Sequence, residues 1–484
     1  MKTVKIVGVL LCMCLMLLVL IRVEAQNNPQ IQGIWVGDMR VSEKLSLKMA
    51  FEVKLTSDNS LAATMNSIDQ GAFDIPVDSV LIENDQLSFC ISSLNCIYRG
   101  RIVEGNLIEG NLTQKGAKPC ELNMTKVNAM PGRKPKRPQE PRKPYPYQEE
   151  NITYANAEAD VTIAGTLTKP KTGGPFPAVL LVTGSGPNDR DQHIFGHKVF
   201  LVLADYLTRE GFAVLRVDDR GVGQSTGNFS TASVIDLASD VIAGINYLKG
   251  RKDIIHNQVG LIGHSLGGEI APLAAAQMQE VDFLVLMAAS GISLEEGMYE
   301  QCEAIYSGMG ISSQGIELNR RILKSCLDVV RIEKDNGRAK TRIAETLSRF
   351  NREVSQLSKE ERKKLELSLP LDPKEYYAFL SSAMRVDLFH NPQTALEKLK
   401  CPVLAINGSS DLQVLSNNLE IIEEAIRRGG NTDCTIKLFP EKNHLFQNCK
   451  TGALSEYYEI EETMAPEVQV YLSNWLKGII SKEK

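Results

Sequence analysis

The sequence predicts a chain in two parts: a small antiparallel β domain, then an α/β domain whose mostly parallel sheet carries helices on both faces and is interrupted by a helical cap. Three observations lead there. Leu45, Leu47, Met49, Phe51, Val53 and Leu55 alternate with Ser46, Lys48, Ala50, Glu52 and Lys54, the period of two that turns one strand face to a core and the other to water. From Asn151 the text changes to apolar runs of strand length separated by helical stretches, as a sheet buried on both faces requires. Over about 291–396 the strand signal gives way to charged helical text such as "ELNRRILKSCLDVVRIEK", and it returns at "CPVLAING".

Taken in order, the N-terminus has Lys2 and Lys5, an apolar run from Ile6 to Ile21, then Val23-Glu24-Ala25 before Gln26. This is the pattern of a secretory signal peptide over 1–25, and the run is short for a bilayer-spanning anchor. Neither Cys12 nor Cys14 follows a small residue, so no lipid attachment is expected. The mature chain is expected to start near Gln26 and to be exported, periplasmic or extracellular, without stable membrane insertion. Residues 26–128 form the β domain: "GIWVGDM" resembles the opening of lipocalin-like barrels, and "QLSFCI", "CIYRGRIV" and "NLIEGNLTQ" are short strands punctuated by Asn, Asp and Gly. The run "MPGRKPKRPQEPRKPYPYQEE" cannot hold ladder hydrogen bonds and reads as a semi-rigid linker over 129–150.

Residues 151–484 hold the α/β domain. "FPAVLLVTG" is a strand, "HKVFLVLADYLTREG" a helix closed by Gly211, and "FAVLRVDDRG" a strand. "TASVIDLASDVIAGINYLKG" is a helix, "VGLIGHS" a strand, "LGGEIAPLAAAQM" a helix and "VDFLVLMAAS" a strand. The 484 residues are 43% hydrophobic and 23% charged with a formal net charge of -5, enough chain for more than one core and no basic footprint for nucleic acid or an anionic membrane. Of the ten cysteines, eight lie beyond the signal segment, and spacing allows disulfides between Cys90 and Cys96 and between Cys434 and Cys449, with buried thiols the alternative. No CxxC pair suggests structural zinc.

The stretch "VGLIGHSLGGEIAP" places Gly263-His264-Ser265-Leu266-Gly267 between an apolar strand and a helix-forming run. That is the context in which G-x-S-x-G exposes a nucleophilic serine at a sharp turn, with glycines where a side chain would collide. A serine hydroxyl needs a base. Among the six histidines, His264 is inside the elbow and points the wrong way, and His193 and His197 follow the third strand. His256 precedes the Ser265 strand at its amino end, and His390 sits in the cap. His444, in "FPEKNHLFQ", remains. Asp411, directly after the strand in "CPVLAINGSSDLQV", is placed to orient it. The order Ser265, Asp411, His444 is that of α/β-hydrolases. Oxyanion donors are expected at the Leu266 N–H and at the Ser185 N–H in "VTGSGPNDRD", whose glycines let backbone approach a substrate. That loop lacks the Lys-Ser/Thr of a nucleotide-binding turn. Asp189, Arg190, Asp191, Asp218, Asp219 and Arg220 read as structural ion pairs rather than substrate contacts.

With these motifs the chain resembles exported bacterial two-domain α/β-hydrolases of the serine aminopeptidase-like and dienelactone hydrolase-like superfamily, in which a small β domain and a proline-rich linker precede the hydrolase. "GPFPAVLLVTGSGPNDRD", "FGHKVFLVLADYLTREGFAVLRVDDRGVGQSTG", "NGSSDLQV" and "NHLFQNCKTG" carry the resemblance. It departs in two places: members carry Glu after the nucleophile where this chain has Leu266, and wider relatives have His-Gly where it has Thr183-Gly184. The resemblance implies a carboxylic ester hydrolase with Ser265, Asp411 and His444 as its triad, no metal or cofactor, and a small ester or short peptide as substrate. Peptidase or amidase, thioester or lactone cleavage, and a non-catalytic ligand-binding protein are the alternatives. Acidic residues such as Glu295, Glu296 or Glu300 facing the site would favour a peptidase that holds a free amino terminus.

Overall fold

A computed structural model describes residues 31–482, apart from 43–44, 57–59, 71, 84, 105, 115–117, 129, 132–134, 279, 309, 359–361 and 363–369. The expected signal segment, 1–25, lies outside these residues. The chain divides into two compact units between Lys136 and Arg137.

The first unit is one antiparallel sheet of ten strands: β1 Gly33–Ser42, β2 Leu45–Leu55, β3 Leu61–Ser67, β4 Ala72–Val77, β5 Ser79–Glu83, β6 Gln86–Ile91, β7 Cys96–Glu104, β8 Leu107–Gln114, β9 Cys120–Glu121 and β10 Met124–Val127. Its order is β4-β3-β2-β1-β10-β8-β7-β6-β5, with β9 against β1 and β8. The alternation in β2 points Met49, Phe51 and Val53 into the core, while Leu55 at the strand end is exposed instead. Rings fill that core: Phe51 stacks on Phe89 at 4.6 Å and both pack on Tyr98. Trp35 Nε1–H donates to the Ile31 carbonyl and Tyr98 Oη–H to the Leu122 carbonyl, so the buried polar ends are satisfied.

The second unit is built on an eight-stranded sheet: β11 Gln148–Asn156, β12 Val161–Lys169, β13 Phe176–Val182, β16 Ala213–Val217, β17 Ile254–His264, β18 Leu284–Met287, β19 Val403–Gly408 and β20 Cys434–Phe439, with a small hairpin of β14 His193–Ile194 and β15 His197–Lys198 apart from it. The order is β11-β12-β16-β13-β17-β18-β19-β20. β12 runs antiparallel to both its neighbours, and from β16 to β20 every pairing is parallel. In β13 the two-residue period feeds two cores. Ala178, Leu180 and Val182 join one cluster with helices α2 Val234–Lys249, α3 Gly267–Gln277 and α9 Asn418–Arg428. Val179 and Leu181 join the other with α1 Val199–Arg209 and α10 Pro466–Lys482. Continuous apolar strands arise because both faces must be covered.

Between β18 and β19 lie α4 Leu294–Gly308, α5 Ser313–Ile332, α6 Asn336–Ser355, a 3-10 stretch Pro373–Leu380, α7 Ser382–Phe389 and α8 Gln393–Leu396, where the cap was expected. The starts of α5, α6 and α7 are fixed by the side chains of Ser312, Asp335 and Ser381, each accepting from a backbone N–H of the first turn. Among the described residues no helix is long and apolar enough to cross a membrane.

Two expectations change. The second half of the proline-rich run is not a free spacer: Arg137 donates to the carbonyls of Gly196, Tyr458 and Ile460, Gln139 donates to Met464 O and accepts from Thr463 N, and β11 already begins at Gln148. No disulfide forms among the eight cysteines beyond the signal segment. Cys90 faces Ile97 and Cys96 faces Ile91 across the β6–β7 ladder, which puts the two thiols on opposite sheet faces. Cys434 opens β20, whereas Cys449 bonds back to Glu441 beyond its other end, about 20 Å of strand away and far outside disulfide reach.

Candidate active site

β17 delivers Ser265 at the carboxyl edge of the sheet and the chain turns at once into α3. The turn forces Ser265 to a φ of 56°, a left-handed conformation that costs a serine about 1–2 kcal/mol. Its N–H is tied to Met287 O at 2.9 Å. The flanking glycines are there for space: a Cβ on Gly263 would lie 2.1 Å from Gly267 O, and one on Gly267 would lie 2.1 Å from Val182 O.

Asp411 follows β19 and His444 follows β20, and the two side chains meet with His444 Nδ1 2.7 Å from Asp411 Oδ2, both buried. The other carboxylate oxygen accepts from the N–H groups of Gln413 and Val414 at 2.8 and 3.0 Å, so Asp411 is anchored by its own turn. With Nδ1–H donated to the carboxylate, His444 keeps its Nε2 lone pair free. The His444 loop is held by Asn443, whose side-chain Oδ1 accepts from Leu445 N and Gln447 N, and by Tyr457, whose hydroxyl accepts from His444 N at 3.2 Å.

The loop after β13 lies beside the serine, since a Cβ on Gly184 would be 3.3 Å from the Cβ of Ser265. Asn188 shapes it by donating from Nδ2 to the carbonyls of Gly184, Ser185 and Gly186. Asp219 anchors it, accepting from Thr183 Oγ1 at 2.6 Å and Asn188 N at 2.8 Å; burial pushes its carboxyl up to about 7. Among the described residues, neither the exposed Ser185 nor the half-buried Leu266 has a partner for its backbone N–H. Unpaired backbone N–H donors are the kind of group that can receive an oxyanion.

Four of the six charged residues expected to form ion pairs here do so, whereas Asp189 accepts from the N–H groups of Asp191 and His193 and Asp219 from Thr183 and Asn188. Arg190 forks onto Asp218, Arg216 pairs with Asp191, and Arg220 with Asp240. Of the cap carboxylates, Glu295 accepts from Tyr299 Oη and pairs with Arg331, exposed Glu296 accepts from Ser293 N and Oγ, and half-buried Glu300 accepts from Asn417 Nδ2 at 3.4 Å. Among the described residues no group of three or more His, Cys, Asp or Glu is arranged to hold a metal.

The remaining histidines are His193 at the small hairpin, His197 bonded to Thr463 and Tyr457, His256 in the amino half of β17, and His390 at the end of α7. His264 has ring partners that the sequence reading did not foresee. It does not serve Ser265, but its ring packs on that of His444 with centroids 4.9 Å apart and its Nε2 is 2.9 Å from His444 O. Its other nitrogen is 2.9 Å from Gln192 Nε2. Sequence reasoning missed Gln192 and Tyr457 altogether: Gln192 meets His264 across 72 residues, and no local pattern marks the Tyr457 hydroxyl as the acceptor for His444 N.

The sequence profile of the X-Pro dipeptidyl-peptidase (S15) family matches residues 160–444, a span holding Ser185, Ser265, Leu266, Asp411 and His444. Esterase EstD of Thermotoga maritima is 28% identical over 291 residues, which cover 60% of each chain. The aligned part thus spans well under two thirds of that esterase. An uncharacterised 31.7 kDa protein of Escherichia coli is 24% identical over 256 residues, 52% of this chain and 80% of that one. Among solved structures, the Pyrococcus furiosus esterase Pf2001 is 15% identical, with a TM-score of 0.41 over 69% of this chain and 91% of that one. Est1E of Butyrivibrio proteoclasticus with bound ferulic acid is 16% identical, with a TM-score of 0.40 over 68% and 99%.

Proposed function

We propose that this chain, which belongs to the X-Pro dipeptidyl-peptidase (S15) family and is a serine hydrolase of α/β fold, cleaves carboxylic esters through an acyl-enzyme. Ser265 Oγ attacks the ester carbonyl while His444 Nε2 takes its proton, and Asp411 holds the imidazolium that results. The N–H groups of Ser185 and Leu266 receive the oxyanion. His444 then protonates the departing alcohol, and water, activated by the same nitrogen, releases the acid. This chemistry draws on no metal or organic cofactor. The observation that carries the reading is the 2.7 Å contact between buried Asp411 and His444 in the same structure as a strained, glycine-flanked Ser265.

A peptidase is the second reading, favoured by the family description. Against it, Glu295 has both carboxylate oxygens engaged, by Tyr299 and Arg331, Glu296 caps the start of α4 and Glu300 accepts from Asn417. The same reading takes residues 1–25 as an export signal, which N-terminal sequencing of the mature protein checks by a start near Gln26.

The deciding experiment compares p-nitrophenyl esters with aminoacyl-p-nitroanilides, using the mature protein and Ser265→Ala. Ester turnover that disappears in the variant supports the proposal. Anilide turnover exceeding ester turnover moves the assignment to peptidase, and undiminished activity in Ser265→Ala overturns the mechanism.

A further inference from the structure

His264, next to the nucleophile in sequence, is 2% exposed and touches two other parts of the site. Its Nε2 lies 2.9 Å from the His444 carbonyl, which can only accept, so Nε2 carries the proton. In a neutral ring Nδ1 must then accept, and Gln192 presents its Nε2 amide donor there at 2.9 Å. Burial, and secondarily the nearby His444, push the His264 imidazole down to about 3, so the neutral tautomer that satisfies both bonds persists at working pH.

Gln192 closes the loop that begins at Thr183, and its backbone is held at a φ of 50°, a conformation a glutamine adopts only when its surroundings enforce it. Its Nε2 is also 3.3 Å from where a Cβ on Gly184 would sit, so the amide lies against the backbone that carries Ser185. Turning the amide round would set its carbonyl against the Nδ1 lone pair. The orientation shown leaves Gln192 Oε1 buried without a partner among the described residues, a desolvation cost that goes with keeping the amide donor on His264.

We propose that His264 is a positioning residue for the hydrolytic reaction: one neutral imidazole, adjoining Ser265, locks the main chain of His444 on one side and the Ser185 loop on the other, fixing base and oxyanion donors in register. The inference rests on the triad reading above. A neutral ring is required in this place, because His444 becomes positive when it takes the serine proton and a second cation 4.9 Å away would oppose it.

The test uses the full mature chain with His264→Phe, His264→Gln and Gln192→Leu, read by ester kinetics and melting temperature, with Ser265→Ala as control. Phenylalanine keeps the ring volume and removes both bonds; it should leave KM within about twofold and lower kcat roughly 10- to 100-fold, the scale of a small misplacement of reacting groups. Glutamine can donate to His444 O and accept from Gln192, and should return kcat to within about fivefold of the parent. Gln192→Leu should lower kcat about tenfold with KM little changed. A folded His264→Phe with parental kcat overturns the inference, as do equal losses in the Phe and Gln variants, which would mean packing alone. If His264→Phe does not fold, parental kcat in Gln192→Leu overturns it. Parental turnover that survives Ser265→Ala would instead fail the triad reading, and this inference with it.

Discussion

At the residue scale the site shows how few atoms decide its state. Asp411→Asn would keep the Oδ1 acceptor for Gln413 and Val414, so the turn and the melting temperature should hardly change. Its amide would face His444 Nδ1 as a donor, forcing the ring proton onto Nε2, where the lone pair is needed; kcat should fall by about 10⁴-fold in steady-state ester assays. Gly267→Ala is a different kind of lesion, since its Cβ would meet Val182 O at 2.1 Å and Thr183 O at 2.5 Å. Those atoms belong to the central sheet and the loop after it and cannot yield, so a loss of about 1–3 kcal/mol is expected in denaturant titrations, with activity reduced as Leu266 N–H shifts. Ser265 could be singled out because G-x-S-x-G is a local pattern, and Asp411 and His444 because each comes after a strand that reads as one in the sequence; folding adds the contact between the last two. His264 and Gln192 were not legible in their roles, being 72 residues apart, and 180 separate His264 from His444; only folding brings them together.

At the element scale, a carboxyl group of the cap lies near enough to one on the helix after Ser265 for their charges to be felt. Glu269, in the first turn of α3, is 5% exposed with Oε1 unpartnered, and Asp387 of α7 accepts from Val234 N at the start of α2. Burial, then the charge of Asp387, push the Glu269 carboxyl up to about 8; burial pushes that of Asp387 up to about 6 against the pull of the Val234 N–H. Both values lie above those of an unfolded chain, so the stability these groups contribute is complete below about pH 4 and is lost as pH rises, through about 6 for Asp387 and about 8 for Glu269. The parent should therefore melt lower at pH 8 than at pH 5, and Glu269→Gln should flatten the part of that fall above pH 6; an unchanged slope in scanning calorimetry would show that Glu269 ionises freely. The helices of this cap were readable from charged, 3.6-period text. Their seating on α3 was not, since a lone Glu in an apolar helix gives no sign of what it faces. The β14–β15 hairpin went unread for a related reason: Phe195 and Gly196 turn it at φ values of 50° and 73°, and a phenylalanine at positive φ is not something propensity anticipates.

At the scale of the whole molecule, the two-part organisation was visible in the switch from alternating to continuous apolar strands, while the boundary was not, because prolines mark extended chain without saying whether it is bound. Arg137 and Gln139 are bound, to backbone groups that frame the loop of Tyr457 and Thr463. A fragment starting at Arg137 should keep the melting temperature of the hydrolase unit, whereas one starting at Gln148 should lose about 2 kcal/mol and melt about 5 °C lower by calorimetry. The same bonds bear on biosynthesis. They join residues 321 to 325 positions apart, so the opening segment of this unit leaves the ribosome long before its acceptors exist. Arg137 can meet the Gly196 carbonyl, 59 positions on, early in synthesis, but its bonds to Tyr458 and Ile460 and those of Gln139 form only when nearly the whole chain has been made, so this end of the unit is completed late in translation.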